Sequence, residues 1–229
     1  DYFISSKYYE LEYDISNKYY SEKLILTDSL CTCYPSFDFL NNNLKSRKEL
    51  GLNEESNIYC CLQASFKISE FMEDVINKIM QKDSKAIILL SIAFAPFCKT
   101  QLNRMTNKFN NNALRIKFYK ILSLHEYLNL INICDIVLDT YPFGGCNSSL
   151  EAFFLNKPIV TIPTNKINGR FTKGFYDKMQ IKECIVDSFD SYVKLCLKLT
   201  SNKIFYKEVK EKIKNNKHLL YEDQQSICE

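Results

Sequence analysis

Lys67, the glycine pair 144–145, the small polar trio Asn147, Ser148 and Ser149, and the carboxylate of Glu151 are the residues whose types and spacing suit chemistry on a phosphorylated ligand. Two of the five glycines in the 229-residue chain fall together in Asp139-Thr-Tyr-Pro-Phe-Gly-Gly-Cys-Asn-Ser-Ser-Leu-Glu151. The apolar run Ile136-Val-Leu leads into this stretch as a strand, and Ala152-Phe-Phe-Leu155 continues it as a helix. Glycine lets backbone approach a ligand without a Cβ in the way. The free N–H groups of a helix start favour negative charge. Gly144, Gly145, Cys146 and the trio therefore read as an anion cradle. Glu151 lies about one turn further in, where a carboxylate accepts hydrogen bonds from sugar hydroxyls but repels a phosphate set too close. A nucleotide-sugar fits that arrangement better than bare phosphate.

Three other positions join the cradle. Lys67 comes after the strand expected over Asn57 to Gln63, where its ammonium would face a diphosphate and offset the charge that grows as a phosphate–sugar bond breaks. Gln63 at the strand tip would bond the base or a phosphate, or else cap the loop. Arg170, in Asn168-Gly-Arg-Phe-Thr172, offers forked donors to phosphate or sugar oxygens, with a surface ion pair as the competing reading. His125, one histidine without a placed carboxylate or nucleophile, is assigned no acid–base work and reads as a polar residue near the pocket rim.

The elements that must position these residues alternate. A strand is expected over Lys23 to Leu26, Pro35 breaks the segment after it, and the polar stretch from Asn41 to Arg47 marks the main boundary. Beyond it the periodicity predicts strands at Asn57 to Gln63, Ala86 to Leu90, Ile116 to Tyr119, Ile136 to Asp139, Ile159 to Ile162 and Cys184 to Val186. Helices are expected at Glu70 to Gln81, Lys99 to Phe109, His125 to Ile133, Ser148 to Leu155, Phe171 to Met179, Tyr192 to Leu199 and Phe205 to Lys214. Such alternation, with strands apolar throughout, implies an α/β fold: a mostly parallel, Rossmann-like sheet covered by helices on both faces. Ligands gather beyond the carboxyl ends of such strands, where all these candidates fall.

Composition narrows the classes. Hydrophobic residues at 46% and charged residues at 25% describe an ordinary globular chain. No apolar run approaches the roughly 20 residues that span a bilayer. The net charge of +3 is small, and only Lys207 to Lys217 concentrates basic residues, as a solvated helix face would, so no nucleic-acid partner is expected. Ten cysteines and two histidines are scattered without a C-x₂-C pair, which argues against zinc and for reduced thiols in the cytoplasm or nucleus. The chain opens on Asp1 rather than Met, and a fragment of a longer protein is expected.

The chain resembles the catalytic region of the O-linked N-acetylglucosamine transferase family, with its SPINDLY-like and bacterial relatives. The resemblance rests on Asp1-Tyr-Phe-Ile-Ser-Ser6, Tyr20-Ser-Glu-Lys-Leu24, Leu62-Gln-Ala-Ser-Phe-Lys-Ile68, Tyr127-Leu-Asn-Leu130, Asp135-Ile-Val-Leu-Asp139, residues 144–152, Lys157-Pro-Ile-Val-Thr161 and Gly169-Arg-Phe-Thr172, in the family's order. It implies the C-terminal, nucleotide-sugar-binding half of a GT-B glycosyltransferase over 57–229, led into by 41–56. Residues 1–40 would be the end of the N-terminal half and the interdomain linker.

By the same resemblance Lys67 would steady the leaving UDP or GDP, Asn147 and Ser148 would hold phosphate oxygens, Glu151 would take the ribose, and backbone near Leu122 and Ser123 would face the base. The implied reaction is inverting, metal-independent transfer of N-acetylglucosamine from UDP-GlcNAc to Ser or Thr of a protein acceptor, without a further cofactor. Leu124, Tyr127 and Cys146 stand where animal enzymes carry polar or basic side chains, which leaves a GDP-fucose donor open. The implied partners are an N-terminal catalytic half and tetratricopeptide repeats. A truncated module that binds nucleotide without turnover is the alternative. A dinucleotide-binding protein is disfavoured by the absence of G-x-G-x-x-G after the first parallel strand.

Overall fold

The computed structural model describes residues 1–36, 44–91, 96–120 and 123–223. Strands β1 (Tyr2–Ser6) and β2 (Lys23–Thr27) pair in parallel through a connection that carries the short helix α1 (Tyr13–Ser16). Among the described residues from 57 onward, strands and helices alternate: β3 (Asn57–Cys61), α2 (Glu70–Lys82), β4 (Ala86–Ser91), α3 (Pro96–Phe109), β5 (Ile116–Tyr119), α4 (Leu124–Ile133), β6 (Ile136–Leu138), α5 (Asn147–Phe154), β7 (Ile159–Val160) and α6 (Phe171–Lys178). Helices α7 (Phe189–Ser201) and α8 (Lys203–Asn216) come next.

The five strands β3 to β7 form one all-parallel sheet in the order β5-β4-β3-β6-β7. The order reverses direction between β3 and β6, which are hydrogen-bonded neighbours through Tyr59 opposite Ile136 and Cys60 opposite Val137. At such a switch point the two loops that leave the strands diverge and open a crevice at their carboxyl ends. Lys67 lies after β3 and the glycine loop after β6, so the topology itself brings them together.

Apolar character in these strands is explained by cover on both faces. Ile58, Tyr59, Cys60, Cys61, Ile88, Leu89 and Leu90 are all fully buried. Helix α2 turns Met72, Val75, Ile76 and Ile79 to the sheet, each worth roughly 1.5–3 kcal/mol on burial. The side chains of Ser123, Ser188 and Asn202 cap α4, α7 and α8, each accepting a backbone N–H three residues on.

The structure departs from the sequence reading in places. β3 ends at Cys61, so Gln63 lies beyond the strand, and Lys67 ends a 3-10 turn over Ser65–Lys67. Cys184 to Val186 forms no strand but one bridge, Thr161 to Ile185. Tyr2–Ser6 forms a strand that its sequence did not announce. The polar stretch at 41–43 and the apolar residues 92–95 lie outside the described residues. No helix among the described residues is long and apolar enough to cross a membrane.

Candidate functional site

The site is organised by a residue that local spacing did not single out. Asp139, one residue past β6, is buried at 3% exposure. Its Oδ1 accepts from the Gly145 backbone N–H at 2.7 Å and from the Gln63 amide at 3.0 Å, and its Oδ2 accepts from the Thr161 hydroxyl at 2.7 Å. Burial pushes this carboxyl above the ordinary range, opposed by those donors, which favour the charged form. The carbonyl of Asp139 accepts from the Tyr192 hydroxyl at 3.1 Å. One side chain thus joins the end of β3, the glycine loop and the end of β7. The available signal was an acidic residue closing an apolar strand just before glycines.

The loop after Asp139 is pinned at successive points. Ser69 donates to the Tyr141 carbonyl at 2.6 Å, Thr140 to the Phe143 carbonyl at 2.6 Å, and the Gly144 N–H to the Asn168 carbonyl at 3.0 Å. The reason for glycine here is internal. A Cβ on Gly144 would stand 3.1 Å from Asp139 Oδ2, and one on Gly145 would meet Ser149 Oγ at 2.5 Å, Ser148 Oγ at 2.7 Å and the Gln63 amide at 2.8 Å. Both glycine N–H groups are also already bonded. Glycine therefore serves the loop's own packing, and the donors left for an anion are those of the helix start. Gly145→Ala is expected to cost about 1–3 kcal/mol by overpacking. Urea unfolding with an unchanged slope would measure it.

At α5 the N–H groups of Ser149 and Leu150 bond to the Cys146 carbonyl, and those of Asn147 and Ser148 precede the first turn with no acceptor among the described residues. Asn147 is exposed and Ser148 half-buried, whereas Ser149 is buried with its hydroxyl 2.7 Å from Thr172 Oγ1. Cys146 is a half-buried free thiol that burial raises against the nearby Lys67 charge.

Lys67 faces this helix start. Its Nζ donates to the Gly144 carbonyl at 2.9 Å and to Gln63 Oε1 at 3.2 Å, and stands 3.9 Å from the centroid of the Phe143 ring. Desolvation lowers its pKa from the ordinary lysine value, while Asp139, Cys146 and Cys61 act to raise it. A cation is thereby fixed beside free helix N–H groups, which is a geometry for a multiply charged anion. Glu151, about one turn into the same helix, is half-buried and accepts no hydrogen bond among the described residues. Burial pushes its carboxyl up to about 7, and its field reaches Tyr34, Tyr127 and Tyr221. An under-bonded carboxylate in that position is an acceptor for a ligand's hydroxyls.

The remaining candidates are placed differently. Arg170, expected at phosphate or sugar oxygens, sends its donors to three backbone carbonyls: Tyr9 at 2.7 Å, Thr164 at 3.1 Å and Glu10 at 3.1 Å. The Ser123 hydroxyl is occupied by the α4 N-terminus, accepting from Glu126 N–H at 3.2 Å. His125 Nδ1 lies 3.1 Å from the Asn129 amide. Leu122 lies outside the described residues. No group of three or more His, Cys, Asp or Glu among the described residues is placed to hold a metal ion.

Known proteins share this framework. The sequence profile of glycosyl transferase family 41 matches residues 39–225. A UDP-N-acetylglucosamine–peptide N-acetylglucosaminyltransferase of Caenorhabditis elegans is 20% identical over 156 residues, covering 68% of this chain and 14% of that protein. SPINDLY of Hordeum vulgare is 22% identical over 130 residues, covering 55% of this chain and 14% of its own length. Among solved structures, an O-GlcNAc transferase of Thermobaculum terrenum superposes with a TM-score of 0.79 at 20% identity, over 99% of this chain and 42% of that one. A sucrose-phosphate synthase of Thermosynechococcus elongatus gives 0.67 at 13% identity, over 99% and 55%. The chain therefore spans a small part of its curated relatives and about half of these solved chains, and the structural likeness establishes the GT-B type of fold. With the profile matched from residue 39 to residue 225, the chain belongs to glycosyl transferase family 41.

Proposed function

We propose that this chain is the donor-binding part of an inverting, metal-independent glycosyltransferase that moves N-acetylglucosamine from UDP-GlcNAc to Ser or Thr hydroxyls of proteins. The observation that carries this reading is the bond of Lys67 to the glycine loop that opens α5, the helix that carries the under-bonded Glu151, at the switch point between β3 and β6. The diphosphate lies along Lys67 and the free N–H groups of Asn147 and Ser148, and Glu151 accepts from the ribose hydroxyls. In the reaction an acceptor hydroxyl oxygen bonds to the anomeric carbon, giving up its proton to a base outside this chain or to water, as the bond from that carbon to the diphosphate oxygen breaks. The electron pair stays on the diphosphate, where the Lys67 ammonium and the helix start stabilise it. Acceptor positioning belongs to a second half across the cleft and to tetratricopeptide repeats.

Titration calorimetry with UDP, GDP and NAD tests the reading. UDP binding with no NAD binding is the expected result, GDP binding without UDP would move the donor to a GDP-sugar such as GDP-fucose, and binding of neither would end it. A GDP-sugar fits the same reading in that Leu124 and Tyr127 would bring no charged donor to the base.

Glu151 also sets a pH dependence. Ribose hydroxyls bond best to the ionised carboxylate, whose fraction rises about tenfold from pH 6 to pH 8 for a pKa of about 7. Affinity for UDP-GlcNAc, whose phosphates do not titrate in that range, is expected to rise by nearly that factor, and Glu151→Gln to flatten the profile. Without ligand the direction reverses. The folded state holds this proton more tightly than the unfolded chain, so the contribution of Glu151 to stability falls as pH rises from about 4.5 to about 7 and is constant above.

A further inference from the structure

Arg170 bonds back across 160 residues of sequence to Glu10. Its Nε and Nη2 donate to the carbonyls of Tyr9 and Glu10, in the turn that leaves β1, while its Nη1 holds the Thr164 carbonyl in the loop after β7. That second loop is the support of the cradle. Asn168 accepts the Gly144 N–H, and a Cβ on Gly169 would lie 2.5 Å from the Pro142 carbonyl, so the two loops are in contact along their backbones.

Helix α6 makes the same connection a second way. Its Thr172 meets Ser149 at 2.7 Å and donates to the Gly145 carbonyl at 3.4 Å, on the cradle side. On its other side, the Phe171 and Phe175 rings take the Tyr9 ring edge-on at 4.9 and 5.9 Å. A Cβ on Gly174 would stand 2.7 Å from the Tyr9 ring and 2.8 Å from the Tyr8 carbonyl. A cavity of about 470 Å³, lined by Glu10, Tyr20, Ile167 and Asn168 among others, lies along this seam. The guanidinium is half-buried and desolvation lowers its pKa, so its bonds to the carbonyls must hold it against the loss of water.

We propose that Arg170 is a positioning residue that couples occupancy of the glycine cradle to the placement of residues 8–10. The coupling rests on the proposed nucleotide site, because it needs a ligand at the cradle. A ligand that holds Gly144 to Ser149 in place also holds Asn168 and Thr164, and through Arg170 the carbonyls of Tyr9 and Glu10. Three reporters are built into the turn: the N–H groups of Tyr9 and Glu10 both bond to the Ser6 carbonyl, and that of Tyr8 to the Ser6 hydroxyl.

The experiment is amide hydrogen exchange on this chain with and without saturating UDP. Exchange is expected to slow at 144–149 and, by about tenfold, at residues 8–10. Arg170→Met, which keeps length and removes every donor, is expected to abolish the slowing at 8–10 while leaving that at 144–149. Arg170→Lys, with one nitrogen for three carbonyls, is expected to restore part of it. Gly174→Ala, which displaces Tyr8 and Tyr9 with Arg170 intact, is the second variant and is expected to weaken the same signal. A merely structural arginine would raise exchange at 8–10 equally with and without UDP. Slowing at 8–10 that survives Arg170→Met, or slowing confined to 144–149 in the parent chain, overturns the coupling and leaves the nucleotide reading standing. No slowing anywhere removes both.

Discussion

Alanine at position 139 is expected to lower the stability of the chain by about 3–5 kcal/mol, counting roughly 1–3 kcal/mol for each buried donor left without an acceptor. Three donors lose their partner at once: the Gly145 N–H, the Gln63 amide and the Thr161 hydroxyl. Removing a buried carboxylate also removes its own desolvation cost, which offsets part of this total. The loss of acceptors wins because three donors from separate parts of the chain all converge on the one buried carboxylate. Asp139→Asn keeps the shape but brings a donor against donors, and an intermediate loss of about 2 kcal/mol is expected. At roughly 2–4 °C per kcal/mol for a chain of this size, Asp139→Ala should melt about 10 °C lower. Unfolding within about 1 kcal/mol of the parent would show that Asp139 does not organise the loop.

Replacing Lys67 by methionine should act on the ligand and leave the fold intact. The ammonium is half-buried and its partners are a carbonyl and an amide oxygen at the edge of the cradle, so the stability change should stay within about 1 kcal/mol. A charge-assisted contact to a diphosphate is worth roughly 1.5–3 kcal/mol, so UDP affinity should fall about 10- to 100-fold. Uridine, which has no phosphate, should bind the two proteins alike. In a complete enzyme the loss in transfer should be larger, about 10²- to 10³-fold, because charge on the leaving diphosphate is greatest in the transition state. Equal losses for UDP and uridine would place Lys67 at the base or ribose and refute the diphosphate assignment.

The alternating elements were legible because their signal is local. Ile116–Tyr119 is recovered as read, and α2, α4, α5 and α6 are each within one residue of their expected ends. Where local pattern is weak the reading failed. Tyr2–Ser6 mixes aromatic and hydroxyl side chains and is a strand because β2 lies beside it. Cys184 to Val186 is apolar yet meets the sheet at a single bridge.

The candidate site divides along the same line. That Lys67, the glycine loop and Glu151 share one end of the sheet is a consequence of parallel strand direction, which alternation already implies, whereas the adjacency of β3 and β6 is not readable from it. Where a donor points is set by partners far away in sequence. Gln63 is committed to Asp139, 76 residues on, and Arg170 to Tyr9, 161 residues back. No spacing rule carries that information. The glycines show the same limit, since a loop that needs glycine for its own closure looks, in sequence, like one that needs it for a ligand.

Because Asp139 draws its partners from beyond the ends of β3 and β7 and from the glycine loop, with Tyr192 of α7 on its carbonyl, the floor of the crevice at Asp139 is cross-linked before any ligand arrives. Association at this end of the sheet should thus draw little ordering cost from that floor, the cost falling on the incoming molecule and on the loops that close over it.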